Sequence, residues 1–218
     1  KMQDISSQGG RTVLFVSHNM GAVKSLCKTG IVLKEGSVSF RGTADEAINF
    51  YLKLGSEVRK VNLRDRIDRA GNGKVQVAEV SFENSKNEKI EEAISGDELY
   101  VKIIVKKINK IEFKKLVVVV NFMDEYENFV LSYISDEMGS DFEYLEESDQ
   151  IILKIPNLYL RSSTYKLRIL LSEGTPEKDT FLDSIEDAAC INVLEGDIWK
   201  VGELNRKGSY AILPGDFI

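Results

Sequence analysis

The sequence is poor in the residues that staple, kink or catalyse. Its 218 residues include two cysteines, three prolines, one histidine and one tryptophan. Two cysteines, Cys27 and Cys190, cannot build the disulfide framework of a small secreted domain, and no secretory leader pattern opens the sequence. Both read as buried small hydrophobes rather than redox or metal ligands. No run approaches the ~20 apolar residues of a membrane-spanning helix, and "KLVVVVNFM" has only the length of a strand. After the single histidine, His18, no Ser-His-Asp or Cys-His set can be assembled. These absences point to a cytoplasmic address and away from hydrolytic catalysis in the larger part of the chain.

What is present is the composition of an ordinary globular protein, 43% hydrophobic and 29% charged. The net charge of −6 hides an asymmetry. Residues 1–60 carry nine Lys/Arg against five Asp/Glu, and the remainder twenty against thirty. An acidic larger part argues against nucleic acid or an anionic membrane as its ligand. The basic cluster "KKINKIEFKK" (106–115) is broken by Ile, Glu and Phe and reads as a strand edge and turn.

The chain divides into two kinds of pattern. In residues 1–54, "TVLFV" is a continuous apolar run of the sort a doubly covered parallel strand needs. "MGAVKSLCKTG" has helical spacing at Val23, Leu26 and Cys27, "IVLKEGSVSFRG" reads as a hairpin turning at Glu35-Gly36, and "TADEAINFYLK" opens with a capping box of Thr43 and Glu46. Ala47, Ile48 and Tyr51 form the buried face of that last helix. Residues 55–72 are charged and closed by Gly71 and Gly73, as in a linker. From residue 73 to 218 nearly everything is strand. "KVQVAEVSF", "ELYVKIIVK", "KLVVVVNF", "FVLSYIS", "QIILKI", "STYKLRILL", "AACINVL" and "GSYAIL" are eight runs bounded by turn residues. Leu99, Val101, Ile103 and Val105 share one face. Tyr165, Leu167, Ile169 and Leu171 point inward, with Lys166 and Arg168 outward. The fold class expected is an all-β antiparallel sandwich, jelly-roll or immunoglobulin-like, preceded by an α/β fragment.

Residues 10–52, "GRTVLFVSHNMGAVKSLCKTGIVLKEGSVSFRGTADEAINFYL", resemble the C-terminal end of an ATP-binding-cassette nucleotide-binding domain. The resemblance implies that His18 is the switch histidine, which contacts the ATP γ-phosphate and helps position the attacking water. The rest of that ATPase is not in the sequence. There is no G-x-x-x-x-G-K-[ST] loop, the one Gly-Lys pair being Gly73-Lys74, and no LSGGQ-like signature. Asp124-Glu125 after "VVVVNFM" mimics a magnesium-and-base strand end but lies about a hundred residues after His18 rather than before it, and reads as a loop tip. This chain is therefore expected not to hydrolyse ATP, with ATP and Mg²⁺ belonging to a longer natural protein.

"RAGNGKVQVAEVSFEN", "YLRSSTYKLRILLSEG" and "GSYAILPGDFI" resemble the C-terminal domain of Wzt, the ATP-binding subunit of exporters of finished O-antigen polysaccharide. The resemblance implies a jelly-roll-like carbohydrate-binding domain that reads the polysaccharide, often at a modified non-reducing end. It further implies a homodimer working with a transmembrane subunit at the cytoplasmic face of the inner membrane. An alternative role is dimerisation of the ATPase subunits without glycan contact.

Sugars are held by aromatic faces and by carboxylates, amides and arginine, so candidates can be named. In "FVLSYISDE", Phe129, Leu131, Tyr133 and Ser135 share one face. With Val130 and Ile134 in the core, Tyr133 and Ser135 would stand outside, Tyr133 as a stacking platform, with Asn121 on the neighbouring strand. Arg168 and Lys166 are candidates for a charged cap. The bland reading is open for each: cross-strand packing for the tyrosine, surface pairing for the arginine. Tyr100, Phe113, Phe142, Tyr144 and Tyr159 are further aromatics, and Trp199 is either a sugar stacker or a plug at the sandwich end. "EYLEESDQ" (143–150) lacks calcium-loop spacing and reads as a solvated acidic turn, so no metal site is expected.

Overall fold

The structure, a computed structural model, describes residues 13–17, 20–34, 36–58, 62–108, 115–140, 142, 148–206 and 211–212. His18, Phe113, Tyr144, the acidic stretch 143–147 and most of the basic cluster lie outside the described residues. So does the "PGDFI" ending. The chain forms two compact units, one of residues 1–60 with 125–128, the other of 61–124 with 129–218.

The first unit contains helix α1 (Met20–Leu26), the antiparallel hairpin β1 (Thr29–Lys34) and β2 (Ser37–Thr43), and helix α2 (Ala44–Val58). The hairpin turns at Gly36, whose φ of 78° favours glycine. Helix α2 begins where the sequence pattern places it. The Thr43 amide and hydroxyl both donate to Glu46 Oε2, at 2.9 and 2.8 Å, and the Glu46 amide returns a bond to Thr43 Oγ1 at 3.3 Å. Ala47 and Ile48 are buried. "TVLFV" does not form the expected strand. Residues 13–17 have no regular structure, and Leu14 and Val16 are more than four-fifths exposed. An apolar strand of this kind is held by ladder partners on both sides, and among the described residues it has none.

The second unit is a sandwich of two sheets. One has the order β5 (Glu92–Ile94), β11 (Phe181–Leu194), β10 (Ser163–Glu173), β7 (Leu116–Met123), β8 (Phe129–Ile134). The other has the order β4 (Lys89–Ile90), β3 (Val75–Glu83), β6 (Leu99–Lys107), β9 (Ser148–Ile155). Pairing is antiparallel except between β5 and β11, which run parallel. Alternation builds the core: Leu99, Val101, Ile103 and Val105 of β6 meet Val118, Val120 and Phe122 of β7 and Tyr165, Leu167, Ile169 and Leu171 of β10. Strand β7 is buried on both faces. Its other face, with Val117 and Val119, makes a small outer cluster with Leu170.

Two further readings differ from the sequence expectation. "AACINVL" is only the second half of β11, which starts at Phe181 and crosses a register shift opposite Leu167–Ile169. Polar residues of "FLDSIED" mask the strand pattern, because Asp183 and Ser184 are buried and satisfied internally. Cys190 is exposed rather than buried, since it lies on the outer face of the sheet.

Residues 62–72 are tied to the sandwich by two arginines. Arg69 meets Asp183 at 2.5 Å and donates to the carbonyls of Val77 (2.9 Å) and Leu63. Arg66, itself buried, holds Asp68 through two bonds at 2.8 and 2.5 Å and reaches the Asp187 carbonyl at 3.1 Å.

Candidate functional site

The outer face of the five-stranded sheet gathers polar side chains around one exposed aromatic ring. Strand register sets the row. Asn121 of β7 lies between Arg168 of β10 and Ser132 of β8. Ser132 Oγ donates to Asn121 Oδ1 at 2.6 Å, which fixes an otherwise buried amide. Arg168 Nε meets Glu186 Oε1 at 2.8 Å, and Nη2 donates to Ser184 Oγ at 3.2 Å. Its guanidinium lies 5.8 Å from the centre of the Phe129 ring, which is 61% exposed. The Arg168 side chain is 21% exposed and that of Glu186 58%, so the pair is reachable from solvent. A planar ring, a guanidinium, a carboxylate and a hydroxyl thus share one rigid sheet surface. Such a set can stack the C–H face of a pyranose and bond its hydroxyls.

Of the sequence candidates, Asn121 and Arg168 come together here. Lys166 lies on the same face but is 4% exposed and sits 3.5 Å from Asp187, whose backbone carbonyl Arg66 holds. Its charge is committed inside the fold and is not offered to a ligand.

Tyr133 and Ser135 are not on this surface. Tyr133 pairs with Val120 and packs edge-on against Phe122, with ring centres 6.3 Å apart. Ser135 Oγ accepts from the Val118 amide at 3.0 Å. Both line a mainly apolar cleft of about 260 Å³ between the sheets, with Met138, Phe142, Ile151 and Lys154. Burial pushes the Tyr133 phenol above its usual range. The cause is a register shift between Phe122 and Met123: Leu131 pairs with Phe122, but Phe129 pairs with Met123. The extra residue, Val130, breaks strict alternation. Phe129 therefore leaves the face that it would share with Tyr133: it stays on the outer surface, where an outward Tyr133 would have placed it, while Tyr133 turns into the cleft. Ser132 and Glu186 were missed, since nothing local marks either one.

The other aromatics fall elsewhere. Tyr100, on the outer face of the four-stranded sheet, donates to Glu98 at 2.8 Å and has Lys154 Nζ 5.3 Å from its ring centre. Trp199 lies in the loop after β11, its ring centre 6.4 Å from that of Tyr159. Among the described residues no group of three or more His, Cys, Asp or Glu is placed to hold a metal ion. Nor is any helix among them long and apolar enough to cross a membrane.

No curated protein sequence matches the chain. Among solved structures, the crystal structure of the C-terminal domain of Wzt aligns with a TM-score of 0.54 at 16% identity, covering 70% of this chain and 89% of that one. The CARDB domain of a Pyrococcus furiosus protein, solved with di-metal ions, aligns at a TM-score of 0.31 and 8% identity. It covers 57% of this chain and 91% of that one, too distant a likeness to carry an argument. The family model of the Wzt C-terminal domain matches residues 66–205, well over half the chain. The two-sheet sandwich and that match agree, and this chain belongs to the Wzt C-terminal domain family.

Proposed function

We propose that this chain recognises a polysaccharide, and that it does so on the outer face of the five-stranded sheet. The observation that carries the reading is the set of Phe129, Arg168, Glu186 and the Asn121–Ser132 pair on one surface. Family membership supports a role in an O-antigen ABC exporter. In that role the sandwich presents the glycan to the transporter. The Phe129 ring stacks a sugar face, Arg168 donates to ring oxygens or to a charged cap, and Glu186 accepts from hydroxyls. Affinity per site on such an open face is weak, and two copies in a homodimer reinforce it. A transmembrane subunit would hold the assembly at the inner face of the inner membrane. The chain itself acts by binding. ATP hydrolysis, with its Mg²⁺, belongs to motifs that this sequence does not contain.

The test is calorimetric titration with O-polysaccharide from cells that encode this chain, beside a polymer of unrelated repeat. Selective binding is expected, weakened about tenfold by Arg168→Ala, as for loss of one charge-assisted hydrogen bond. Tyr133→Phe should leave it unchanged. No binding of either polymer by the folded protein would shift the weight to dimerisation. Selective binding untouched by Arg168→Ala would keep the function and move the site.

A further inference from the structure

The loop after β11 holds the only tryptophan of the chain in the open, on a tightly built base. Gly196 and Asn205 close the loop in both directions. The Gly196 amide donates to Asn205 Oδ1 at 2.7 Å, and the Asn205 amide donates to the Gly196 carbonyl at 2.9 Å. Inside the loop, Asp197 accepts from the amides of Val201 (3.1 Å) and Gly202 (2.7 Å). The base admits no side chain, because a Cβ on Gly196 would stand 1.9 Å from the Ser95 carbonyl oxygen. Trp199 projects from this frame with 47% of its surface exposed, beside Tyr159. An exposed aromatic ring carried on a loop whose backbone is already hydrogen-bonded in place costs less backbone ordering on binding.

A cation stands on the same side. Leu158 and Leu160 are fully buried, so in this extended segment Tyr159 and Arg161 both point away from the core. Arg161 Nη1 donates to the Arg206 carbonyl at 2.6 Å, next to the loop closure. Among the described residues no carboxylate is within ion-pair reach of Arg161, and Asp197 is occupied by its own loop. Tyr159 thus carries Trp199 beside it on the side of the chain that Arg161 also faces, and among the described residues the Arg161 guanidinium is oriented by a carbonyl and not by a carboxylate. Val201 and Leu204, both exposed, follow the tryptophan in the loop, but an apolar partner alone would not match the Arg161 charge.

We infer that Tyr159, Arg161 and Trp199 form a second saccharide subsite, at the end of the sandwich, that takes an anionic sugar residue bearing a carboxylate or a phosphate. The ring pair stacks the sugar and Arg161 pairs with the anion. The inference rests on the carbohydrate-binding reading above but uses none of the same residues. Because Trp199 is the sole tryptophan, its fluorescence reports this subsite in the intact chain. Titrations with D-glucuronic acid and glucose 6-phosphate, beside glucose and inorganic phosphate, separate the sugar from the charge and the carboxylate from the phosphate.

A saturable emission change is expected with at least one anionic sugar and with neither control. Arg161→Gln, folded as judged by circular dichroism, should weaken it roughly tenfold. Trp199→Ala should weaken glucuronate or sugar-phosphate binding in calorimetry. The inference is overturned by emission that no anionic sugar moves, by an equal response to glucose or to inorganic phosphate, or by a response that survives Arg161→Gln. Emission that changes with protein concentration alone also overturns it, since a second copy then covers the ring. Failure here is distinguishable from failure of the outer face. The first silences Trp199 while Arg168→Ala still weakens polysaccharide binding; the second leaves Trp199 responsive and Arg168→Ala without effect.

Discussion

Arg69 and Asp183 meet at 2.5 Å with side chains only 9% and 1% exposed. Asp183 also accepts the Val77 amide at 2.8 Å, and Arg69 satisfies the Val77 carbonyl at 2.9 Å, so one ion pair fixes the start of β3 against β11. Removing one partner leaves an uncompensated buried charge, at a cost of about 3–5 kcal/mol. Arg69→Met is therefore expected to lower the urea midpoint far more than Lys89→Met, which breaks a solvent-exposed pair with Glu79 worth well under about 1 kcal/mol. Asp68 supplies a pH signature. The Arg66 hydrogen bonds hold its carboxyl below the usual carboxylate range. A lowered folded-state pKa contributes stability above the unfolded-state value, and that stability is lost as pH falls through the folded-state value. Asp68→Asn is expected to be less stable than the parent at neutral pH, with the difference shrinking below about pH 4. Urea midpoints at a series of pH values check this, and a constant difference would show that the charge plays no part.

At the scale of elements, helix α2 shows what local chemistry fixes without help. The capping box of Thr43 and Glu46 was legible as a four-residue pattern because its partners are three residues apart. Thr43→Ala should cost about 1 kcal/mol and shorten the helix from its N-terminus, read as lost amide protection in hydrogen exchange. Strand β8 shows the opposite. Its residues alternate in a way that fits either face, and the register shift opposite Phe122–Met123 decides which. Tyr133 thereby went to the cleft and Phe129 to the surface. Arg168 and Asn121 were legible as outward positions on "TYKLRILL" and "VVVVNFM", yet their juxtaposition came from β7–β10 pairing across more than forty residues.

At the scale of the whole molecule, the described residues that build the sandwich core all lie between Leu63 and Val193. A fragment of residues 62–218 is thus expected to fold cooperatively, with a urea midpoint close to that of the sandwich transition in the full chain. Loss of cooperativity in the fragment would show that the first unit contributes to the core. The sequence by itself determined the two kinds of pattern, the period-two strands, the helix caps and the family resemblance, because each is written in residues a few positions apart. Tertiary structure decided which side of β8 faces solvent, that Lys166 is committed to Asp187, and that Trp199 comes to lie beside Tyr159. Those depend on strand order, on a bulge and on ion pairs between distant segments, where the geometry of pairing, and not the local pattern, sets the energy.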